Sequence, residues 1–507
     1  MIKNMSQKNT SLQGKRILIF QQRNWAINTG HILAKKFQAE GCRLAAFTLK
    51  KTTHEYILSQ KEVKYELIIS NDEIMGKPKD YLAGDKFSLA AICDDLGVAS
   101  IWPLVATLRN HARSYKDKYY YSFKQNVPDE EIIDYIMAVY KCVKIMFDQF
   151  NPEVIISPNF VSFPHIMFNL YAERKGVKMI AVTDCKVEGI YIFTFGYRDD
   201  RGPFYERVDA LNQGRTDSPN RAKARRYIRE FREKFKNPDY SVKHRQKKSL
   251  KEIVKDQLRP YYQIYQWYTT KQINVLPSTG ITYDYRPPRI ILRDHYCHLQ
   301  YKRQTEKFNF YPFSKINQYV YYPLQFQPEA NVDAVAPYFS NQIETARQIA
   351  MSLPDDYTLV VKEHPEMVGL RPPSYLEKVA RTVNVKLIDY RLPSEQVLKK
   401  CALLICPNST TLTEAAFYHK PAIQLGDLGT TLKLPNVFKH TDMTTLSVKI
   451  KEILAVNLKT AEYERRLENY VAAAYDTGFK YDFEGAWGGA SKESTDNLWR
   501  ILKEQLN

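Results

Sequence analysis

An α/β protein with two Rossmann-like domains and a helical tail is the fold this sequence predicts, and three observations predict it. From Tyr319 onward, short apolar runs alternate with amphipathic segments in five βα steps over about 140 residues. The first 200 residues hold two shorter units of the same kind, over Arg16–Thr48 and Glu153–Thr183. Beyond residue 458 the pattern is helical, apart from an aromatic, glycine-bearing interruption at Phe479–Ala490.

The elements follow in order. R-I-L-I-F at Arg16–Phe20 is an unbroken apolar run, as a strand buried on both faces requires. A helix over Thr29–Glu40 is closed by Gly41, the residue best suited to a left-handed stop, and a strand over Arg43–Thr48 follows. Helical periodicity over Asp129–Phe150 ends at Asn151-Pro152. Next come a strand at Glu153–Ser157, a helix at Pro164–Lys175 capped by Gly176, and a strand at Lys178–Thr183. Arg201–Pro260 is polar and basic, with helices expected at Ala222–Lys236 and Ser249–Leu258; residues 261–315 are tyrosine-rich and lack a clean period. The second domain has strands at Tyr319–Pro323, Thr358–Lys362, Lys386–Asp389, Ala402–Cys406 and Ala422–Leu425. Helices at Asn341–Leu353, Ser374–Thr382, Ser394–Lys400, Thr411–Tyr418 and Thr445–Ala455 alternate with them. The chain thus divides into an N-terminal Rossmann-like domain (1–200), a basic, tyrosine-rich insertion and connection (201–315), a C-terminal Rossmann-like domain (316–458) and a helical tail (459–507).

Composition narrows the function classes. Hydrophobic content of 44% supports real cores and excludes wholesale disorder. Apolar runs such as Ala402–Cys406 are too short to span a bilayer, and residues 1–14 are mostly polar. A cytoplasmic protein is expected, with a peripheral place on the inner face of the cell membrane. The seven cysteines are scattered without a C-x-x-C pair, which argues against a disulfide framework and a zinc site. Of the net charge of +18, the segment Arg221–Arg259 supplies +10, with fifteen Lys and Arg against five Asp and Glu. Segment 221–259 therefore suits an anionic membrane surface or an acidic acceptor. Nucleic acid is the poorer fit, because no recognition helix, RNP-like aromatic string or zinc finger lies nearby.

Two motifs carry chemistry. Lys362-Glu363-His364-Pro365 and Pro407-Asn408-Ser409-Thr410-Thr411 each follow a predicted strand, and ligands of open α/β sheets bind at those carboxyl ends. The second motif also opens a helix, where backbone N–H groups, hydroxyls and the positive helix end suit a phosphate. A histidine after the neighbouring strand can donate a hydrogen bond to the same phosphate.

These residues carry a resemblance. Y-Y-P-L-Q-F-Q-P-E at 321–329, K-E-H-P at 362–365, C-P-N-S-T-T-L-T-E-A-A at 406–416 and K-P-A-I-Q-L-G-D at 420–427 are together similar to bacterial capsular polysaccharide biosynthesis proteins, including the Kdo transferases of capsule linkers. The resemblance implies a GT-B glycosyltransferase, two Rossmann-like domains facing a central cleft. It also implies a nucleotide-sugar co-substrate, a CMP-sugar such as CMP-Kdo ahead of a UDP-sugar, with a surface glycan or glycolipid acceptor, no other cofactor and no catalytic metal. By position, His364 with Pro365, Asn408, Ser409 and Thr410 would hold the nucleotide phosphate, and Glu414 a ribose or sugar hydroxyl. Family members commonly carry a glycine where Thr411-Leu412-Thr413 stands here, which leaves the donor open. Teichoic-acid polyol-phosphate polymerases share the His-Pro and a Ser-Ser helix start, so transfer from CDP-glycerol or CDP-ribitol is one rival. A non-catalytic assembly protein of the same fold is another.

In the N-terminal half, Gly30-His31 opens a helix after the first strand and resembles the Gly-His of GT-B enzymes, whose histidine deprotonates the acceptor. Asp184 and the pair Asp94-Asp95 are competing carboxylates, and Arg23, Lys186 and Arg198 could meet an acidic acceptor. His295 and His298, three residues apart and without fitting Cys or carboxylate ligands, make a poor metal site.

Overall fold

The computed structural model describes residues 12–108, 127–235, 249–269, 275–276, 280–281, 287–489 and 492–506. The N-terminal domain supplies β1 (Arg16–Gln21), β2 (Arg43–Thr48), β3 (Leu67–Ser70), β4 (Val154–Ile156), β5 (Lys178–Val187) and β6 (Ile190–Thr194). A two-strand pair, β7 (Val275–Leu276) and β8 (Gly280–Ile281), follows. The C-terminal domain supplies β9 (Tyr319–Pro323), β10 (Thr358–Lys362), β11 (Val385–Ile388), β12 (Leu403–Cys406), β13 (Ala422–Gln424) and β14 (Val437–Lys439), and β15 (Phe479–Lys480) comes last.

In the first sheet the order is β15-β6-β5-β4-β1-β2-β3. β1 lies inside it, with Ile17 to Phe20 fully buried, as its apolar run requires. It pairs in parallel with β2 on one side and β4 on the other, and β5 and β6 close the far side as an antiparallel hairpin. The second sheet is entirely parallel in the order β11-β10-β9-β12-β13-β14. The chain reverses its direction of winding about β9, so the loops after β9, β10 and β12 meet over one crevice. The architecture is the predicted GT-B arrangement of two Rossmann-like domains with a basic helical region and C-terminal helices.

Several boundaries differ from expectation. β3 and β14 are additional strands, each too short to show a period in sequence. β5 runs on to Val187 because its second half pairs with β6, so Asp184 lies within a strand and not after one. Asp94-Asp95 belongs to the helix Leu89–Leu96 rather than to a loop, and Asp95 accepts from the Tyr140 hydroxyl. Within 201–315 the helix expected at Ser249–Leu258 runs over Leu250–Thr269, past Pro260, and Pro203–Asn212 and Pro288–Glu306 form two further helices.

The tail is a strap across both domains. Helix Ala461–Thr477 buries Tyr463, Leu467, Tyr470, Val471 and Ala474, spaced to form one face. At one end the Tyr463 hydroxyl donates to Ala416 O of the second domain (2.6 Å); further along, Tyr470 donates to Cys185 O of β5 (2.9 Å). β15 then adds antiparallel to β6, and helix Lys492–Leu506 lies over helix His31–Ala39, with Trp499 edge-on to Phe37 at 4.9 Å.

This strap also corrects the reading of the basic segment. Arg221 and Arg225 bond to Glu468 (3.1 and 2.6 Å), and Arg232 bonds to Glu464 (2.9 Å) and Phe417 O (2.7 Å). The arginine-rich helix Arg221–Glu233 therefore holds the tail through those three arginines, and they are not a spare anionic-surface patch. The stretch 236–248 of segment 221–259 lies outside the described residues. Among the described residues no helix is long and apolar enough to cross a membrane.

Candidate functional site

The crevice of the second domain is built by four strand ends. After β9, Gln325 and Gln327 are held by Gln342, whose Oε1 accepts from Gln325 N (2.6 Å) and whose Nε2 donates to Gln327 Oε1 (3.0 Å). After β10, Glu363 is buried and takes both a bond from His364 N (2.6 Å) and a bond from Arg371 Nη1 to each of its carboxylate oxygens (2.6 and 2.9 Å). Arg371 also donates to Gln325 O (2.9 Å), so one guanidinium ties the loop after β9 to the loop after β10. Burial pushes the Glu363 carboxyl up, while Arg371 and the His364 N–H pull it back.

His364 is partly exposed at the head of the short 3₁₀ turn Pro365–Met367. Its Nδ1 accepts from Glu366 N (3.2 Å) and its ring stands edge-on to Phe326. A ring nitrogen that accepts a backbone N–H carries no proton, so the proton sits on Nε2 and that edge is a donor. Pro365 fixes the turn at its first position. Lys362 of the same motif is spent elsewhere, on Leu392 O and Ser394 Oγ at 3.0 Å each.

After β12 come Asn408, Ser409 and Thr410, and then the helix Thr411–Phe417. Ser409 Oγ accepts from Thr411 N (3.2 Å) and donates to Thr411 Oγ1 (3.2 Å), so Ser409 serves as the cap and Thr410 caps nothing. Glu414 is buried one turn further on, near Tyr321 of β9. That phenol is pushed well above its ordinary value, first by burial and then by the Glu414 charge.

The loop after β13 completes the rim. Thr431 Oγ1 lies 2.6 Å from Gln424 Oε1 and 3.2 Å from Asn408 Oδ1, and Gly429 N donates to Arg198 O of the N-terminal domain (2.9 Å). Gly429 has φ +113, and a Cβ there would meet Asn408 Nδ2 at 2.9 Å. Gly429→Ala is expected to cost about 1–3 kcal/mol through backbone strain and to push Asn408 out of the crevice. Thermal melting together with nucleotide titration of the variant checks both.

The N-terminal candidates lie differently. Ala26–Gly30 forms a π turn after β1, and His31 opens the following helix as expected. Its ring is buried against Tyr56 and its Nε2 meets Glu62 (2.9 Å), both of the N-terminal domain. Asp184 takes Lys186 N (2.6 Å) and Lys186 Nζ (3.2 Å) within the β5–β6 hairpin, and Arg23 stands in a short turn after β1 with φ +48. Among the described residues, neither His31 nor Asp184 makes a hydrogen bond or ion pair that joins it to the loops of the second domain.

One carboxylate that sequence reasoning passed over has such a link. Asp199 follows Arg198, the residue bonded to Gly429, and holds the left-handed conformation at φ +49, rare outside glycine and costly to maintain. Its carboxylate takes Thr183 Oγ1 (3.4 Å) and lies beside Thr194 and Tyr205, with the residue as a whole partly exposed. Burial raises its pKa to about 6, against the opposing pull of Thr194, Lys186 and Thr183. The only sequence signal was a charged turn, Arg198-Asp199-Asp200-Arg201, closed by Gly202.

Residues 279–428, less than a third of the chain, match the family model described as capsule polysaccharide biosynthesis protein. The matched stretch includes His364, Ser409, Thr410 and Glu414, whereas His31, Asp184 and Asp199 lie outside it. Comparison with curated proteins found no match. Among solved structures, a KpsC β-Kdo 2,7 transferase of Thermosulfurimonas dismutans is 13% identical over 72% of this chain and 89% of its own, with a TM-score of 0.35. The MnaA–UDP co-structure of S. aureus is 10% identical over 97% of both chains (TM-score 0.27). The calicheamicin glycosyltransferase CalG4 is 12% identical over 96% and 98% (TM-score 0.26). Likenesses this distant say nothing of the substrate that this chain takes.

Among the described residues no group of three or more His, Cys, Asp and Glu could hold a metal ion. His295 and His298 lie on helix Pro288–Glu306, with the His298 ring against Gly369.

Proposed function

We propose that the protein is a glycosyltransferase that moves a sugar from a nucleotide donor onto a capsular or related surface glycan or glycolipid. A CMP-sugar of the Kdo kind is the favoured donor, ahead of a UDP-sugar. The observation that carries this reading is that the His364 Nε2–H donor and the Ser409 and Thr410 hydroxyls at a helix start follow β10 and β12, the two strands that flank β9. Hydroxyls, a neutral imidazole N–H and backbone amides are the groups that hold a phosphate and take up charge as it leaves. Pro365 and Asn408 would shape that pocket, and Glu414 would meet a ribose or sugar hydroxyl. The chemistry needs no resident metal or other cofactor. The acceptor enters from the N-terminal domain. Its hydroxyl oxygen attacks the anomeric carbon, its proton passes to a base, and the bond from that carbon to the nucleotide phosphate breaks. Asp199 is better placed for the base than His31 or Asp184, because its loop touches the rim of the donor crevice. The setting is cytoplasmic, with the enzyme held at the inner face of the membrane.

The test is a titration of CMP, CDP, UDP and GDP against the full chain and His364→Ala. The wild type is expected to prefer CMP, and the variant to bind it about 10- to 100-fold more weakly, the worth of a hydrogen bond to a charged group. Equal binding by the variant removes His364 from the site. Preference for CDP, with CDP-glycerol turned over and CMP released, would replace sugar transfer with polyol-phosphate transfer.

A further inference from the structure

The helix Leu250–Thr269 is exposed along most of its length. It opens with a reciprocal cap, Ser249 Oγ accepting from Glu252 N (3.3 Å) while the Glu252 carboxylate accepts from Ser249 N (2.8 Å). The cap satisfies two of the backbone donors that a helix start leaves open. One side packs on helix Pro288–Glu306, with Pro260 buried. The opposite side has no protein cover among the described residues. Leu250, Val254, Leu258, Tyr261, Tyr265 and Tyr268 fall within a quarter turn of one another, and their exposure runs from 55% for Val254 to 82% for Leu250. Soluble surfaces scatter such residues singly, whereas this is a continuous stripe along 20 residues.

The charges on the helix are sorted as well. Lys251, Lys255 and Arg259 repeat every four residues along one edge of the stripe, with the exposed Tyr262 among them. Glu252 and Asp256 lie beyond them, on the side away from the stripe. An apolar stripe rich in tyrosine with a basic margin is the pattern of a helix that lies in a lipid–water interface.

We propose that this helix lays its Leu250–Tyr268 stripe on an anionic lipid surface, with Lys251, Lys255 and Arg259 among the headgroups. The membrane contact thereby moves from the arginines of Arg221–Glu233, three of which hold the tail, to a helix whose cationic edge borders an apolar face left uncovered among the described residues. A second copy of the chain is the poorer occupant. Docked face to face, two stripes would bury the hydroxyls of Tyr261, Tyr265 and Tyr268 in a helix–helix seam, where they cost free energy without partners. At an interface the rings enter the lipid and the hydroxyls stay wet. The inference is independent of which nucleotide the crevice prefers.

Co-sedimentation of the full chain with vesicles tests it, using phosphatidylcholine alone and phosphatidylcholine mixed with phosphatidylglycerol. Wild-type protein is expected to pellet with the mixed vesicles, weakly with the neutral ones, and less as salt rises. Replacing Lys251, Lys255 and Arg259 with glutamine should weaken binding to mixed vesicles about five-fold per residue. Leu250→Ser, Leu258→Ser and Tyr265→Ser together should abolish it, with melting unchanged because these side chains make little of the core. Binding that survives both sets of changes, or no wild-type binding, overturns the proposal. A wild-type dimer made monomeric by the serine changes, without vesicle binding, would assign the stripe to self-association instead.

Discussion

Replacing Arg371 with methionine is expected to cost about 3–5 kcal/mol of folding stability, the usual cost of leaving one member of a buried ion pair alone. Arg371 and Glu363 are each 1% exposed, and Arg371 Nη1 bonds to both carboxylate oxygens. Methionine has similar reach and can keep contact with the Tyr375 ring, which the guanidinium now covers at 4.6 Å, so the loss reports the charge and its hydrogen bonds rather than a cavity. The deficit should depend on pH with a definite sign. Burial already raises the Glu363 carboxyl, and removing Arg371 removes the opposing pull, so the folded-state pKa rises further. A carboxyl raised on folding contributes most in acid and loses its contribution as pH rises through the folded value. The variant should therefore fall further below wild type on going from acid to neutral pH. Glu363→Gln added to Arg371→Met should recover most of the loss. Denaturant melts of the three variants across pH decide the matter; a single variant as stable as wild type would show that the pair is not buried as described. Donor binding should fall too, because Arg371 sets the loop after β9 against the loop that carries His364.

Replacing Asp199 with asparagine is expected to lower sugar transfer by about 10²–10⁴-fold, the usual contribution of a general base, with nucleotide binding unchanged. A base works only when deprotonated, so the wild-type rate should rise with pH through about 6, and that limb should vanish in the variant. Stability moves the other way. The Asp199 pKa is raised from 3.8 to about 6 on folding, so its contribution is complete below the unfolded value and is lost as pH rises through about 6. At neutral pH the asparagine variant should be at least as stable as wild type. Lost turnover with intact melting and intact nucleotide titration marks a group that meets the substrate. Unchanged turnover would return the role to His31 or Asp184. Turnover absent in the wild type as well would count against glycosyl transfer itself, not against Asp199 alone.

The two kinds of candidate were not equally legible. His364 and Ser409 were readable because each follows a strand whose apolar run is local, and a βα unit keeps its polar ends where the strand ends. Asp184 was placed after a strand because Lys178–Thr183 is the apolar part, but pairing with β6 carries the strand on to Val187. Extension by a hairpin partner is a tertiary effect with no local signature. Asp199 was passed over for a related reason. A charged turn reads as solvated until its place beside Thr183, Thr194 and Tyr205 and the contact of Arg198 with Gly429 are known.

By itself the sequence determined the two Rossmann-like domains, the order of the strands in the chain, and the polar groups at the ends of β10 and β12. Periodicity and turn chemistry act over a few residues and survive without knowledge of the rest. Only the tertiary structure decided which charges are spent and which are offered. Arg221, Arg225 and Arg232 find Glu468 and Glu464 more than 200 residues away, while Lys251, Lys255 and Arg259 border an apolar stripe left uncovered among the described residues. In sequence the two groups are one basic segment. Their difference arises because an ion pair depends on separation in space, which chain distance does not fix.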